Sequence, residues 1–141
     1  MSNETATSVK MNKRKLLGFA KRIRKVNPEN LSLESFYSDT FVNEKEMKKV
    51  LTDKNSGITG CAFTFLVIFY PDDFKFENGG PVFKNKPNGG VFGGIREYFG
   101  INLDEYAMIS HASKYPNRHA TPEKVAERIE EIVNSNYKGG R

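Results

Sequence analysis

The sequence has few of the residues from which catalytic and metal sites are usually built. Its 141 residues include one cysteine, Cys61, two histidines and no tryptophan. A single cysteine forms no internal disulfide, so the fold does not depend on an oxidising compartment. The longest nearly apolar run, residues 61–70, is about half of the roughly 20 residues that a membrane-spanning helix needs. The polar opening of the chain lacks the apolar region of a signal peptide. We therefore expect a cytoplasmic protein with no transmembrane segment.

The length and the aromatic content indicate one folded domain. The chain carries 11 Phe and 6 Tyr, and 38% of its residues are hydrophobic, which is enough for one packed core and excludes a wholly disordered chain. We expect a disordered stretch over residues 1–9, a single domain over residues 10–137 and a flexible tail over residues 138–141.

Positive charge is concentrated near the start of the chain. Eight Lys and Arg residues and no acid lie between positions 10 and 25, whereas the remaining residues include 14 basic and 17 acidic ones. In the same segment apolar residues recur at helical spacing: Leu16, Phe19, Ala20, Ile23 and Val26. The pattern predicts a basic amphipathic helix over residues 12–26, which Pro28 ends.

This helix carries the strongest functional signal in the sequence. Its cations could bind nucleic acid, an acidic partner protein or an anionic membrane surface. The predicted docking residues are Lys13, Arg14, Lys15, Lys21, Arg22, Arg24 and Lys25. The alternative is a solvated first helix with no ligand, whose apolar stripe packs on the domain.

The remaining pattern predicts a mainly α (α+β) fold, a small helical single domain with one β-hairpin. "VNEKEMKKVLTD" indicates a helix capped by Asn43, and "FKFENGGPVFK" indicates the hairpin. The glycine-rich "NKPNGGVFGG" is expected to be a loop before a short helix, "IREYFG", that ends at Gly100. "NLDEYAMIS" is expected to be a helix capped by Asn102, and the closing helix, capped by Thr121, spans residues 121–136. Residues 58–70 fit either a strand or a buried helix.

Several of these segments together resemble a known group of proteins. "GCAFTFLVIFYPDDF", "IREYFGINLDEY" and "ATPEKVAERIEEIV" follow one another in this order. This order is similar to that of a loose group of small, functionally uncharacterised phage and bacterial proteins with a Gly-Cys-Ala helix, an FFGI segment and a C-terminal TPEEVAxRI helix. The resemblance covers about residues 57–134. It implies a mainly helical domain, a helix after Cys61 and a phage or mobile-element origin, hence a host cytoplasm, but no activity and no functional residues.

Cys61 raises the alternative of a thiol-dependent hydrolase. Cysteine hydrolases often place the nucleophile at a helix N-terminus and take a histidine from later in the chain. His111 or His119 could supply that histidine, with Asn117 as an orienting group. No protease signature surrounds Cys61, however, and its apolar neighbours favour a buried packing residue. We therefore expect a non-enzymatic protein in which Cys61 is buried.

No cofactor or metal is predicted. His111, His119 and Cys61 have no recognised zinc-ligand spacing, even with Asp72 or Asp73. The glycine-rich loop lacks the ending of a phosphate-binding P-loop, so Lys86 and Arg96 suggest at most a weak anion site.

A third function remains open, that of a structural or assembly subunit whose exposed Phe and Tyr residues form the contact.

Overall fold

A computed structural model describes residues 10–34, 43–77 and 80–135 of the chain. The predicted disordered start (1–9) and flexible tail (138–141) lie outside these ranges. The described ranges contain α1 (Lys13–Ile23), α2 (Glu44–Leu51), α3 (Leu66–Phe69), the hairpin strands β1 (Phe74–Glu77) and β2 (Gly80–Phe83), α4 (Gly90–Phe99), α5 (Leu103–Ser110) and α6 (Pro122–Ser135). The prediction of a mainly helical fold with one antiparallel hairpin is confirmed. No helix in these ranges is long and apolar enough to cross a membrane.

Polar side chains start the helices where the sequence indicates. The Asn12, Asn43 and Asn102 side chains each accept a hydrogen bond from the backbone N–H three residues later, at 3.0, 2.8 and 2.8 Å. Glu105 returns the bond to the Asn102 backbone N–H at 3.0 Å and completes a capping box. The Thr121 hydroxyl accepts from the Lys124 N–H at 3.2 Å. Each cap satisfies an amide that the first helical turn leaves unpaired.

The ambiguous residues 58–70 are helical over most of their length. A 3-10 helix, Ala62–Phe65, leads directly into α3, and every residue from 62 to 67 is buried. The preceding residues are extended, and Gly60 forms an isolated parallel bridge with Leu31. The helix therefore begins at Ala62, where the chain enters the core and must satisfy its backbone groups locally.

The prediction of a loop over the glycine-rich segment is wrong in its second half. α4 begins at Gly90 and includes Gly93 and Gly94. A Cβ atom at Gly94 would lie 2.7 Å from the Phe83 Cβ of β2, so glycine is required there by the close approach of helix and hairpin. Tertiary packing overrides the low helix propensity of glycine at this position.

A cluster of aromatic rings lies at the centre of the core. The Phe19 ring of α1 stacks on Phe63 and on Phe99, with ring centroids 5.7 and 5.4 Å apart. The hairpin joins the core through Phe74 and Phe83, whose rings lie 4.8 and 5.2 Å from that of Tyr98 on α4. These contacts join α1, the Ala62–Phe65 turn, α4 and the hairpin in one core.

The residues before α1 are attached to the end of α4. The Asn12 N–H donates to the Phe99 carbonyl oxygen at 2.7 Å. Gly100 has a left-handed backbone, with φ of 68°, and a Cβ atom there would overlap the Lys10 carbonyl oxygen. The first turn of the basic helix is therefore positioned by a backbone contact that only glycine permits.

Candidate functional site

The apolar stripe of α1 faces the core, and its cations face outward. The side chains of Leu16, Phe19, Ala20 and Ile23 are fully buried. The predicted amphipathic helix is confirmed, although α1 ends at Ile23 rather than at Val26. Helices that lie in a membrane interface insert their apolar face between lipids. In this fold that face is already covered by protein.

Arg24, one of the predicted docking cations, pairs within the protein. Its Nε donates to Glu123 at 2.8 Å, and its Nη1 and Nη2 donate to the two carboxylate oxygens of Glu130 at 2.8 and 3.0 Å. These hydrogen bonds hold the pKa values of both carboxyls below their ordinary value. Arg24 therefore links the end of α1 to α6, and its guanidinium is already neutralised by carboxylates of the folded protein.

Lys15 and Arg22 are exposed cations that lie against tyrosine rings. The Lys15 Nζ is 4.0 Å from the ring centroid of Tyr98, and the Arg22 guanidinium carbon is 5.1 Å from that of Tyr70. Arg22 Nη1 also donates to the Gly18 carbonyl oxygen at 3.1 Å. Both cations lie on one flank of α1, and neither forms an ion pair with an acid in the described part of the chain.

Three further cations lie on α1 or directly after it, and we name them the outer row: Arg14 and Lys21 on the helix, and Lys25 in the turn that follows it. Arg14 and Lys21 are seven residues apart, which an α-helix places on one side at a distance of about 10 Å along its axis, and Lys25 follows the end of α1. All three are exposed. Among the described residues none of them has an ion-pair or hydrogen-bond partner for its side chain, and neither does Lys13 at the start of the helix. The outer row is therefore a group of positive charges that no acid in the three described ranges neutralises.

A cavity of about 280 Å³ opens beside the C-terminal end of α1. Its lining residues are Arg22, Lys25, Val26, Asn27, Leu51, Thr52, Phe65, Ile68 and Phe69. Two of them are cations and none is acidic. The sequence contains no local signal for this cavity, because its walls come from three segments that only the tertiary structure brings together.

The structure does not assemble the catalytic alternative. The Cys61 Sγ lies 3.2 Å from the Thr64 hydroxyl, and no hydrogen bond joins it to His111 or His119, both of which are exposed. The prediction that Cys61 is buried is wrong. Its side chain is partly exposed, since Cys61 has an extended backbone and precedes the turn at which the chain enters the core.

No group of three His, Cys, Asp or Glu side chains that could hold a metal ion is present within the three described ranges. Of the two residues suggested for a weak anion site, Lys86 lines a cavity of about 350 Å³ together with Lys15, Asn85 and Glu97. Arg96 does not line this cavity. The structure therefore does not bring Lys86 and Arg96 together there.

The assembly alternative relied on exposed aromatic side chains. In the described ranges every Phe and Tyr is buried or partly buried, and the exposed large hydrophobic residues there are Leu17 and Leu103. The described surface thus has no aromatic patch of the expected kind.

Comparison with protein-family models, curated proteins and solved structures gives no match. The resemblance to the phage and bacterial group therefore stays a prediction. A function for this chain has to be argued from the geometry of α1 and its surroundings.

Proposed function

We propose that the protein is a non-enzymatic accessory protein that docks on nucleic acid through the outer row, in the cytoplasm. The observation that carries this proposal is the set of three exposed cations, Arg14, Lys21 and Lys25, that have no acidic partner among the described residues. Lys13 adds positive charge beside the outer row, as do Lys15 and Arg22, which lie against tyrosine rings.

The rigidity of α1 supports a docking role. The helix is held at its start by the bond between Asn12 and Phe99, and at its end by the ion pairs of Arg24 with α6. The backbone that carries its cations is therefore ordered before any ligand binds. The entropic cost of binding is then limited mainly to ordering the side chains.

Nucleic acid suits this surface better than the other two candidate partners. Membrane insertion would require the apolar stripe, which is buried in the core. Protein interfaces are usually centred on aromatic or other apolar anchors, and the outer row offers cations alone. A phosphate backbone needs only positive charges, and each neutralised phosphate releases a counterion.

The proposal is tested by the salt dependence of binding to labelled DNA and RNA, measured by fluorescence anisotropy. With three phosphate contacts, log affinity should fall against log salt with a slope of about 2 for a single strand and about 3 for a duplex. The triple variant Arg14→Glu, Lys21→Glu, Lys25→Glu should lose the binding and keep a nearly unchanged thermal melt, because the three side chains are exposed and form no ion pair or hydrogen bond with the described residues.

A matched control changes the same amount of charge elsewhere. Lys45, Lys54 and Lys114 are exposed lysines outside α1, and their replacement by Glu should leave most of the binding intact. Equal losses in both triple variants would show that net charge alone attracts the ligand. Absence of any salt-sensitive binding by the wild type would refute the nucleic-acid proposal. If the wild type instead bound a purified acidic protein and the outer-row variant did not, the ligand would be a protein.

A further inference from the structure

The cavity beside α1 combines an apolar wall with a cationic rim. Leu51, Val26, Phe65, Ile68 and Phe69 form the wall, and Arg22, Lys25, Asn27 and Thr52 form the rim. Lys25 belongs both to the rim and to the outer row, so the cavity continues the docking surface. An occupant that satisfies both parts has a flat or apolar body joined to negative charge.

Phe69 gives the wall an aromatic surface that is held in place. Its side chain is partly exposed, whereas that of Phe65 is almost completely buried. The Phe69 ring packs 6.1 Å from Phe65 and 6.1 Å from Phe19, and meets the Tyr70 ring edge-on at 6.3 Å. A planar ring that enters the cavity can therefore stack without first ordering its partner.

The size of the cavity restricts the occupant. At about 280 Å³ it lies just below the roughly 300–1,000 Å³ of sites for drug-sized ligands, so it suits one small ring system. The Asn27 side-chain amide at the rim has no hydrogen-bond partner among the described residues, which leaves its donors and acceptor available to a polar ring edge.

We propose that the cavity receives one unpaired nucleobase, and hence that the protein prefers single-stranded nucleic acid. The base stacks on Phe69, Arg22 and Lys25 bind the adjacent phosphates, and the strand continues along the outer row. This inference rests on the proposed function. A duplex cannot use the cavity, because its bases are paired and stacked inside the helix. Stacking on an aromatic ring tolerates every base, so little sequence preference is expected.

The decisive comparison needs no mutation. Binding is measured for a single-stranded DNA of mixed sequence, an abasic strand of the same length and backbone, and the matching duplex. The two single strands offer the same phosphates and differ only in their bases. The wild type should bind the base-containing strand roughly 5- to 150-fold more tightly than the abasic strand, the range expected from one stacked base.

Two variants locate the effect. Phe69→Leu keeps an apolar side chain but removes the aromatic face. The ratio of the affinity for the base-containing strand to that for the abasic strand should therefore fall close to one, and the affinity for the abasic strand should not change. Phe69→Tyr keeps the face and should keep the preference. Thermal melts of both variants confirm that each is folded at the temperature of the assay.

The outcomes separate this inference from the proposed function. Equal binding of the abasic and base-containing strands, or tighter binding of the duplex, would overturn the inference and leave the outer row as a nucleic-acid surface. Failure to bind any of the three would overturn both. A preference for bases that survives Phe69→Leu in the folded variant would place the stacking site elsewhere and overturn the assignment to this cavity.

Discussion

Gly100 offers the sharpest test of how the basic helix is attached to the fold. Replacing it by alanine has two structural consequences. The residue has φ of 68°, in the left-handed region that side chains disfavour, and the added Cβ would overlap the carbonyl oxygen of Lys10. The substitution therefore strains the end of α4 and displaces the residues that precede α1.

The two effects can be assigned magnitudes. A left-handed backbone costs a residue with a Cβ about 1–2 kcal/mol. Moving a close-packed backbone segment costs about 1–3 kcal/mol more, and the bond from Asn12 to Phe99 would be weakened with it. Gly100→Ala should thus lower the free energy of unfolding by about 2–5 kcal/mol. For a chain of roughly this size, each kcal/mol lowers the melting temperature by about 2–4 °C.

Two other glycines separate the contributions. Gly57 has φ of 75° and open space around its Cβ position, so Gly57→Ala should show the backbone strain alone, about 1–2 kcal/mol. Gly93 lies inside α4 with open space and no left-handed backbone, so Gly93→Ala should stabilise the protein by about 0.5–1 kcal/mol. Urea unfolding of the three variants gives the comparison.

The difference between Gly100→Ala and Gly57→Ala measures the contact with Lys10. If the two variants lost the same stability, the segment before α1 would not be packed against Gly100, and the rigid presentation of the outer row would lose one of its two supports. A loss of nucleic-acid affinity in Gly100→Ala, beyond that in an equally destabilised variant, would show that this attachment also serves binding.

Three further predictions concern stability. The bond from Arg24 keeps the pKa of Glu130 below about 4.5, so the stability it contributes is present above that pH and is lost as the pH falls through the lowered pKa. In Arg24→Gln the free energy of unfolding, measured by urea titration at several pH values, should fall less steeply at acid pH than in the wild type. Identical pH profiles of the two proteins would refute this prediction. Asn30→Ala should cost about 1–3 kcal/mol, because the buried side-chain amide donates to three backbone carbonyls. An unchanged urea midpoint would contradict this. Ile129→Ala should cost about 2–5 kcal/mol and Thr121→Ala about 1 kcal/mol. Negligible losses from both would mean that α6 is not docked.

Local chemistry made much of the fold predictable. The caps at Asn43, Asn102 and Thr121 and the left-handed end at Gly100 are each set by residues within one turn. The hairpin also forms close to the predicted positions, with Phe74 opposite Phe83. The predicted turn residues 78 and 79 lie outside the described ranges. These features follow from interactions over a few residues, which is why patterns along the chain indicate them.

Features that depend on distant segments were missed or mistaken. Nothing around Asn30 indicates that its buried amide joins the carbonyls of Val50, Asp53 and Ile58. The early start of α4 depends on the packing of Gly94 against β2. The cavity beside α1 has walls from three separate segments of the chain, residues 22–27, 51–52 and 65–69. Such contacts are decided by tertiary packing, which local propensity does not encode.

The candidate site also combines features that follow from the local pattern with features that depend on tertiary packing. The amino-acid pattern predicts that α1 has one apolar side and one cationic side, because the spacing of both sets follows the helical period. Which of these cations remain available to a ligand depends on the packing of distant segments. Arg24 is paired with Glu123 and Glu130, residues about a hundred positions away, while Arg14, Lys21 and Lys25 form no ion pair with an acid in the described part of the chain. A charge is neutralised by an opposite charge that lies within a few ångströms of it. The packing of the core determines which remote segments come that close.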